Sequence, residues 1–233
     1  MTKITWHGHN TWQIDTGKHT LIVDPFFDDN PAAKVKAADV SADFILVSHG
    51  HFDHVSDAAS IAVRTGATVL APFEVANWLK KQGVAESKAV GMNPGGGAAL
   101  SKDGKPFGRL KMTVAHHSSS LPDGSYGGVA CGLLVDLPGG RVYFACDTAL
   151  FLDMRLIGAV GIDLAVLPIG DLFTMGPEDA VEAVRMLGPK RVAPCHYNTW
   201  PPIEQDAAAW AQQVRLHTSA EPLTPEVGEP FEL

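Results

Sequence analysis

His49-Gly50-His51-Phe52-Asp53-His54 puts four side chains of metal-ligand type into six residues. Imidazole nitrogens with a carboxylate suit zinc, iron, nickel or manganese. Four such groups cannot all point one way from a strand, whose side chains alternate between faces, but a tight loop converges them. Gly50 lets the backbone bend sharply at that point. A polar surface loop is the competing reading, but polar loops seldom concentrate ligand types directly behind a buried strand. Other histidines fall into small groups: His7 and His9 around Gly8, the pair His116–His117, and His196 behind Pro194-Cys195.

The elements that must position these residues follow from patterning. Phe44–Val47 is a continuous apolar run, the mark of a strand buried on both faces, and it runs straight into the histidine loop. A helix follows, with Ala58, Ile61 and Ala62 at helical spacing and Gly66 as its stop. Upstream, Thr11–Ile14 and Thr20–Val23 flank Gly17 as a hairpin, and Asp24-Pro25 ends the second strand. Thr68–Ala71 predicts a strand and Glu74–Lys81 a helix closed by Gly83. Further strands are expected at 109–115, 132–137, 141–145, 163–167 and 191–193, with Pro138-Gly139-Gly140 as a turn. Gly176-Pro177-Glu178-Asp179 opens a helix that Gly188 closes. Ile203, Ala207, Trp210, Val214 and His217 predict a last amphipathic helix, and the Pro-rich tail from Glu221 reads as extended. Gly95–Gly97 lacks the spacing of a nucleotide loop and is expected to be a flexible lip over the site. Strands, a buried strand carrying ligand types, then a helix occur in each half. That predicts one layered α/β sandwich over residues 1–233.

Composition narrows the function. A formal net charge of -8 without a basic run argues against a nucleic-acid partner. No apolar run is long enough to span a bilayer, and Met1–Asn10 lacks the apolar centre of a signal peptide. Three cysteines without CxxC spacing fit the reducing cytoplasm. Cys146 and Cys195 read as small buried hydrophobes. Trp200 and Trp210 suit either core or interface, which leaves a homo-oligomer open.

The HxHxDH loop behind a strand resembles the metallo-β-lactamase superfamily. So do Ala115-His116-His117-Ser118-Ser119, Cys146-Asp147-Thr148 and Pro194-Cys195-His196-Tyr197-Asn198 in that order. Gly8-His9, Asn93-Pro94-Gly95-Gly96, Pro168-Ile169-Gly170 and Phe173–Pro177 narrow the likeness to the UPF0173-type metal-dependent hydrolases, a group related to ascorbate-phosphate lactonases. Cys146 and Ala149 depart from the glycines common in that group, without removing a ligand.

The resemblance implies a four-layer αββα sandwich and two divalent transition-metal ions, zinc first, with manganese, iron or nickel as alternatives. It assigns one ion to His49, His51 and His117, the other to Asp53, His54 and His196, and makes Asp147 the bridge. His117 is favoured over His116 by the His-Ser-Ser match and by strand alternation. Within the ordered set Asp147 reads as ligand over its rival role, a cap for a helix at 149–152. Asp24 stands where a supporting carboxylate is expected. The implied reaction is hydrolysis of a small ester-like molecule (lactone, phosphodiester or thioester) by a metal-bridging hydroxide. Asp53 is the expected proton carrier, with His9 and Tyr197 as candidates to assist the oxyanion. Two other classes remain at this point: a non-catalytic metal- or ligand-binding protein and a dinuclear-iron redox protein.

Overall fold

The computed structural model describes residues Met1–Leu233. The chain opens with β1 (Lys3–Trp6), β2 (Trp12–Asp15) and β3 (Thr20–Val23), antiparallel neighbours, with Gly17 at φ 78° in the β2–β3 turn. Next come β4 (Phe44–Leu46), α1 (Phe52–Val55), α2 (Ala58–Thr65), β5 (Thr68–Pro72), α3 (Phe73–Lys81) and β6 (Ala89–Met92). A meander of β7 (Gly97–Lys102), β8 (Lys105–Val114), β9 (Cys131–Leu137) and β10 (Gly140–Phe144) leads to α4 (Met154–Gly158). Then follow β11 (Leu164–Pro168), α5 (Pro177–Leu187), β12 (Arg191–Cys195), α6 (Ala207–His217), β13 (Glu221–Pro222) and β14 (Pro230–Glu232).

Two seven-stranded sheets result, in the orders β14-β1-β2-β3-β4-β5-β6 and β13-β12-β11-β10-β9-β8-β7. Each sheet is antiparallel on one side and parallel on the other: β3 to β6 run parallel in the first, β10 to β13 in the second. The period-two rule sorts the side chains between layers. On β4, Phe44 and Leu46 face the core between the sheets, while Ile45 and the following Val47 face α1–α3. Ala180, Val184 and Leu187 of α5 and Trp210 and Val214 of α6 cover the second sheet's outer face. The architecture is an αββα sandwich.

Strand β1 runs in the same direction as β3, and β8 in the same direction as β10, because each is separated from the other by one antiparallel neighbour. The carboxyl ends of β1, β3, β4, β8, β10 and β12 therefore open on one edge of the sandwich. The ligand-type groups that converge sit just past strand ends at that edge, on loops or, for Asp53 and His54, on the one-turn helix α1.

Several expectations change. No helix forms over 149–152; the chain turns there and α4 begins at Met154, so Asp147 caps nothing. Gly95–Gly97 is not a lip. Gly95 and Gly96 hydrogen-bond to Met112 at 2.8 and 2.9 Å, and Gly97 opens β7. Strand β7 escaped detection because it is an edge strand with only Leu100 fully buried, which leaves almost no alternation to read. The tail is extended where expected, and it also finishes both sheets: β13 pairs with β12 and β14 with β1.

Candidate metal centre

Two groups of four ligand-type side chains converge at this edge: His49, His51, His117 and Asp147; and His9, Asp53, His54 and His196. Within each group the donor atoms lie within 4.8 Å of one another. The groups adjoin through Asp147. Its Oδ2 lies 3.1 Å from His196 Nε2, 3.3 Å from His54 Nε2, 3.4 Å from His117 Nε2 and 3.9 Å from His49 Nε2. One carboxylate oxygen thus stands among ring nitrogens drawn equally from both groups. A cleft of about 600 Å³ opens above them, with His51, Asp53, His117, Asp147 and His196 in its floor and walls.

The local backbone explains how the chain delivers these atoms. Asp24, Cys146 and His196, each one or two residues past a strand, have φ of 44°, 54° and 53°, and His9 has 51°. Left-handed backbone in non-glycine residues costs energy and concentrates at functional sites. Here it turns the chain back at the strand ends, so that Asp147 and His196 point along the sandwich edge. Gly170, at the end of the β11 loop, leaves room for this: a Cβ there would lie 2.2 Å from the His196 carbonyl oxygen. Gly50 acts similarly. Its φ is not positive; a Cβ would meet Leu121 Cδ2 at 3.0 Å and the Ser120 carbonyl at 3.1 Å. Close packing of the 118–121 loop, rather than a sharp bend, is what requires glycine, and Ser119 Oγ accepts from the Gly50 amide at 3.0 Å.

Hydrogen bonds centred on Asp24 fix which nitrogen His49 and His54 present. Buried Asp24 accepts from the Ser48 amide (2.7 Å), Ser48 Oγ (2.6 Å), Asn10 Nδ2 (2.7 Å) and His54 Nδ1 (2.9 Å). Since Ser48 Oγ donates to Asp24, it must accept from His49 Nδ1 at 2.9 Å. Asp24 therefore sets the tautomer of one ring in each group and leaves both Nε2 atoms facing Asp147. Outer carboxylates of this kind orient metal-binding histidines and raise their basicity. Sequence reasoning placed Asp24 correctly beside the histidine loop but missed Ser48 and Asn10, because the sequence shows only an ordinary strand-end Ser and a turn Asn.

Charge is the other half of the site. Burial opposes ionisation of Asp147 and Asp53, yet the facing histidines, His196 and His54 for Asp147 and His54 first for Asp53, hold both carboxyls well below the usual range. Burial pushes His196 down, and Asp147 together with Asp53 more than reverses it, leaving that imidazole at about 9. His54 is likewise held well above its ordinary value, by Asp147, Asp53 and Asp24 against burial. Burial dominates for His49, His51 and His117, which are all pushed down. His54 Nε2, both His196 ring nitrogens and Asp147 Oδ1 are buried without a well-formed hydrogen bond. Buried polar atoms left this way are costly. Imidazole and carboxylate donors converging on one point, with the unpartnered Nε2 atoms of His54 and His196 facing Asp147 there, fit divalent transition metals.

The structure brings eight of the nine sequence-chosen residues together and leaves Tyr197 out. Tyr197 is buried in the core, stacked on Trp6 with ring centroids 5.3 Å apart, and does not line the cleft. Its role toward an oxyanion is withdrawn; a residue next to His196 in sequence turns away once His196 adopts left-handed backbone. His9 is inside the site but not in the cleft wall. Burial, then His196, push its imidazole down to about 3, so it carries one ring proton at neutral pH. The Asp53 carboxylate can only accept, so His9 Nε2 donates to it at 2.8 Å and Nδ1 accepts from Thr199 Oγ1 at 2.7 Å. His9 braces Asp53 from behind rather than reaching an oxyanion.

His117 Nε2 enters the first group, while His116 is exposed and stacks on Phe151 at 5.0 Å. Strand alternation is not what separates them, since β8 ends at Val114 and both lie on the following loop. Cys146 lies past the end of β10, not on it, with its thiol buried in the core. All three cysteines are free and buried. His7, at 3.3 Å from Gln13, His19, near Asp43, and His217, on the surface of α6, take no part.

A sandwich with metal-ligand loops on one edge defines a class, and the chain belongs to it: residues 19–197 match the beta-lactamase superfamily domain. Within that class its relatives carry the name UPF0173 metal-dependent hydrolase. The one from Thermus thermophilus is 48% identical over 92% of each chain. The one from Pelotomaculum thermopropionicum is 45% identical over 99% of this chain and 100% of its own. Among solved structures, Igni18, described as a novel metallo hydrolase from the hyperthermophilic archaeon Ignicoccus hospitalis, superposes with a TM-score of 0.87 at 34% identity, covering 100% of this chain and 99% of that one. No helix in the protein is long and apolar enough to cross a membrane.

Proposed function

We propose that this metal-dependent hydrolase cleaves a small ester-like substrate, a lactone, phosphodiester or thioester, at two divalent ions held by the adjoining groups. Asp147 carries the reading: a single carboxylate oxygen within 3.1–3.9 Å of four ring nitrogens, two from each group, is the arrangement expected of a bridge. His49, His51 and His117 would hold one ion, and Asp53, His54 and His196 the other. Zinc suits the donor set best; manganese, iron and nickel share its ligand preferences. When bound, the ions supply Lewis acidity toward a carbonyl or phosphoryl oxygen and acidify a shared water.

The chain's own residues do the rest. The Asp147 carboxylate offsets repulsion between two neighbouring cations. Asp53 lines the cleft and is held by His9, so it is placed to take a proton from the attacking water and return it to the leaving oxygen. In the balance, the acyl or phosphoryl centre gains hydroxyl, its bond to the leaving atom breaks, and that atom gains the proton. His9 is a positioning residue, acting through Asp53. With a net charge of -8, the chain is a poor partner for a nucleic-acid backbone, and a small molecule is the proposed ligand.

Elemental analysis of the purified protein, joined to a hydrolysis screen before and after chelation, tests this. Close to two metal ions per chain, with hydrolysis lost on chelation and regained on reloading, is the expected result. A protein that takes up no metal on reconstitution refutes the dinuclear centre, and a metal-loaded protein inert toward all three substrate types refutes the hydrolase reading.

A further inference from the structure

The cleft above the metal centre has a chemistry of its own. Apart from the ligand-type residues, it is lined by Phe52, Trp200, Phe173, Leu121 and Pro122, with only Ser118 and Ser120 as additional polar groups. No lysine or arginine lines it. Phe52 is 51% exposed and Phe173 54% exposed. Exposed aromatic side chains gathered around a cleft are informative in a way that scattered ones are not.

These aromatics are held in place. Phe52 is fixed between the ligand-type residues His51 and Asp53 at the start of α1. Its ring meets Phe26 edge-on at 5.9 Å and lies 6.0 Å from Trp200, which also packs on His9 at 5.0 Å and Phe26 at 6.1 Å. One continuous aromatic wall therefore rises from the buried core to the mouth. Phe173 stands on a loop in which Asp171 and Leu172 are both left-handed, at φ 60° and 39°. That loop is pinned by Asp171 N to the Met175 carbonyl and by Met175 N to the Thr148 carbonyl, both at 3.0 Å, the latter one residue from Asp147. The chain bears local strain and keeps Phe173 in water beside the metal centre.

We infer that this vestibule is a subsite for the uncharged, apolar acyl or aryl part of the substrate, which makes the substrate a neutral lactone, ester or thioester rather than a phosphodiester. The inference rests on the hydrolase reading and narrows it. Anionic groups are recognised by arginine forks and lysine charges. Beyond the metal centre, a phosphodiester's remaining charge and its flanking groups would meet aromatic faces and two serine hydroxyls. A carbonyl needs only one polarising contact, and its hydrocarbon neighbours are suited to this wall. A cleft of about 600 Å³ accommodates a group of several carbons beyond the scissile bond.

Straight-chain alkyl hydroxamates test the subsite without turnover, because the head group chelates the metal and the tail reports on the vestibule. Isothermal titration of the metal-loaded protein, from acetohydroxamate to octanohydroxamate, should show affinity rising about two- to fourfold per methylene, as expected for partial to full burial of each group. A terminal carboxylate on a tail of the same length should lower affinity at least tenfold. Phe173→Ala should flatten the chain-length slope with metal content unchanged, and Phe173→Leu should restore it. A flat slope in the wild type, or equal or tighter binding of the carboxylated tail, overturns the proposal. A steep slope with no hydrolysis of any p-nitrophenyl ester, lactone, thioester or of bis(p-nitrophenyl) phosphate leaves the subsite standing and removes the hydrolase reading, whereas hydrolysis of the phosphodiester alone overturns the neutral-substrate proposal. Turnover of bis(p-nitrophenyl) phosphate with a flat slope does the reverse.

Discussion

Asp24→Asn tests the argument that one buried carboxylate organises both halves of the site. All four of its partners are donors: Ser48 N, Ser48 Oγ, Asn10 Nδ2 and His54 Nδ1. An amide has the same shape but brings its own N–H2 into that shell. The least damaging orientation keeps oxygen toward Asn10, Ser48 Oγ and His54 and turns the amide nitrogen onto the Ser48 amide, two donors facing each other at an observed 2.7 Å. A buried donor left unmatched costs about 1–3 kcal/mol, and the remaining bonds lose their charge assistance. Together that is roughly 3 kcal/mol, which for a chain of this size lowers the melting temperature by about 6–12 °C. Metal affinity should fall by about 10–100-fold, the usual effect of losing an outer carboxylate behind a ligating histidine. The assays are thermal unfolding of the metal-free protein and competition for zinc against a chromophoric chelator. Metal affinity within twofold of wild type, in a variant that melts within a degree or two of it, would refute the idea that Asp24 sets the His54 and His49 tautomers.

Asp147→Asn should lower metal content toward one ion per chain and impair hydrolysis more than Cys146→Ala does, since only the first removes an anion from between the two groups; elemental analysis and turnover, measured side by side, decide it. If Asp147→Asn keeps full metal and full rate, Asp147 is no bridge. His117→Ala should lose metal and His116→Ala should keep it, because His116 only stacks on Phe151; metal content of the two variants checks this. Metal affinity should rise with pH up to about 9. The folded His196 imidazole is raised to about 9, so it must shed one of its two ring protons before a nitrogen lone pair is free to bind an ion. The same raised value fixes the sign for stability. In the metal-free protein the contribution of protonated His196 is complete below about pH 6.5, the ordinary histidine value, and is lost as pH rises through about 9. Melting temperatures of metal-free protein from pH 6 to pH 9.5, together with proton release on zinc titration in weak buffer, measure both.

How much was legible in the sequence depended on whether the signal was local. The β4 run, the Gly17 turn and the α5 start and stop at Gly176-Pro177 and Gly188 carry their cause in a few adjacent residues, and each forms where the pattern puts it. The HxHxDH loop was legible for the same reason: six consecutive residues state the donor types and the strand before them gives their place. Elements whose reason for existing is a distant partner were not legible. Strands β7, β13 and β14 are short, largely exposed edges that exist because another strand offers hydrogen bonds to them.

Within the site, the sequence by itself determined the kinds of donors, their order, and the ends of strands on which they ride. Tertiary structure alone decided direction. His117 and His116 are chemically identical neighbours, separated by the path of a loop beyond β8. Tyr197 adjoins His196, yet left-handed backbone sends one into the core and the other to the metal centre. His9, 44 residues from Asp53, reaches it at 2.8 Å only because β1 and β4 open on the same edge. The aromatics that line the cleft, Phe52 at the start of α1 and Trp200 and Phe173 on two loops, come from three distant parts of the chain and have no periodicity to read. Side-chain type is written residue by residue, whereas the direction of each side chain at a strand end is set by backbone torsions that long-range packing over-determines.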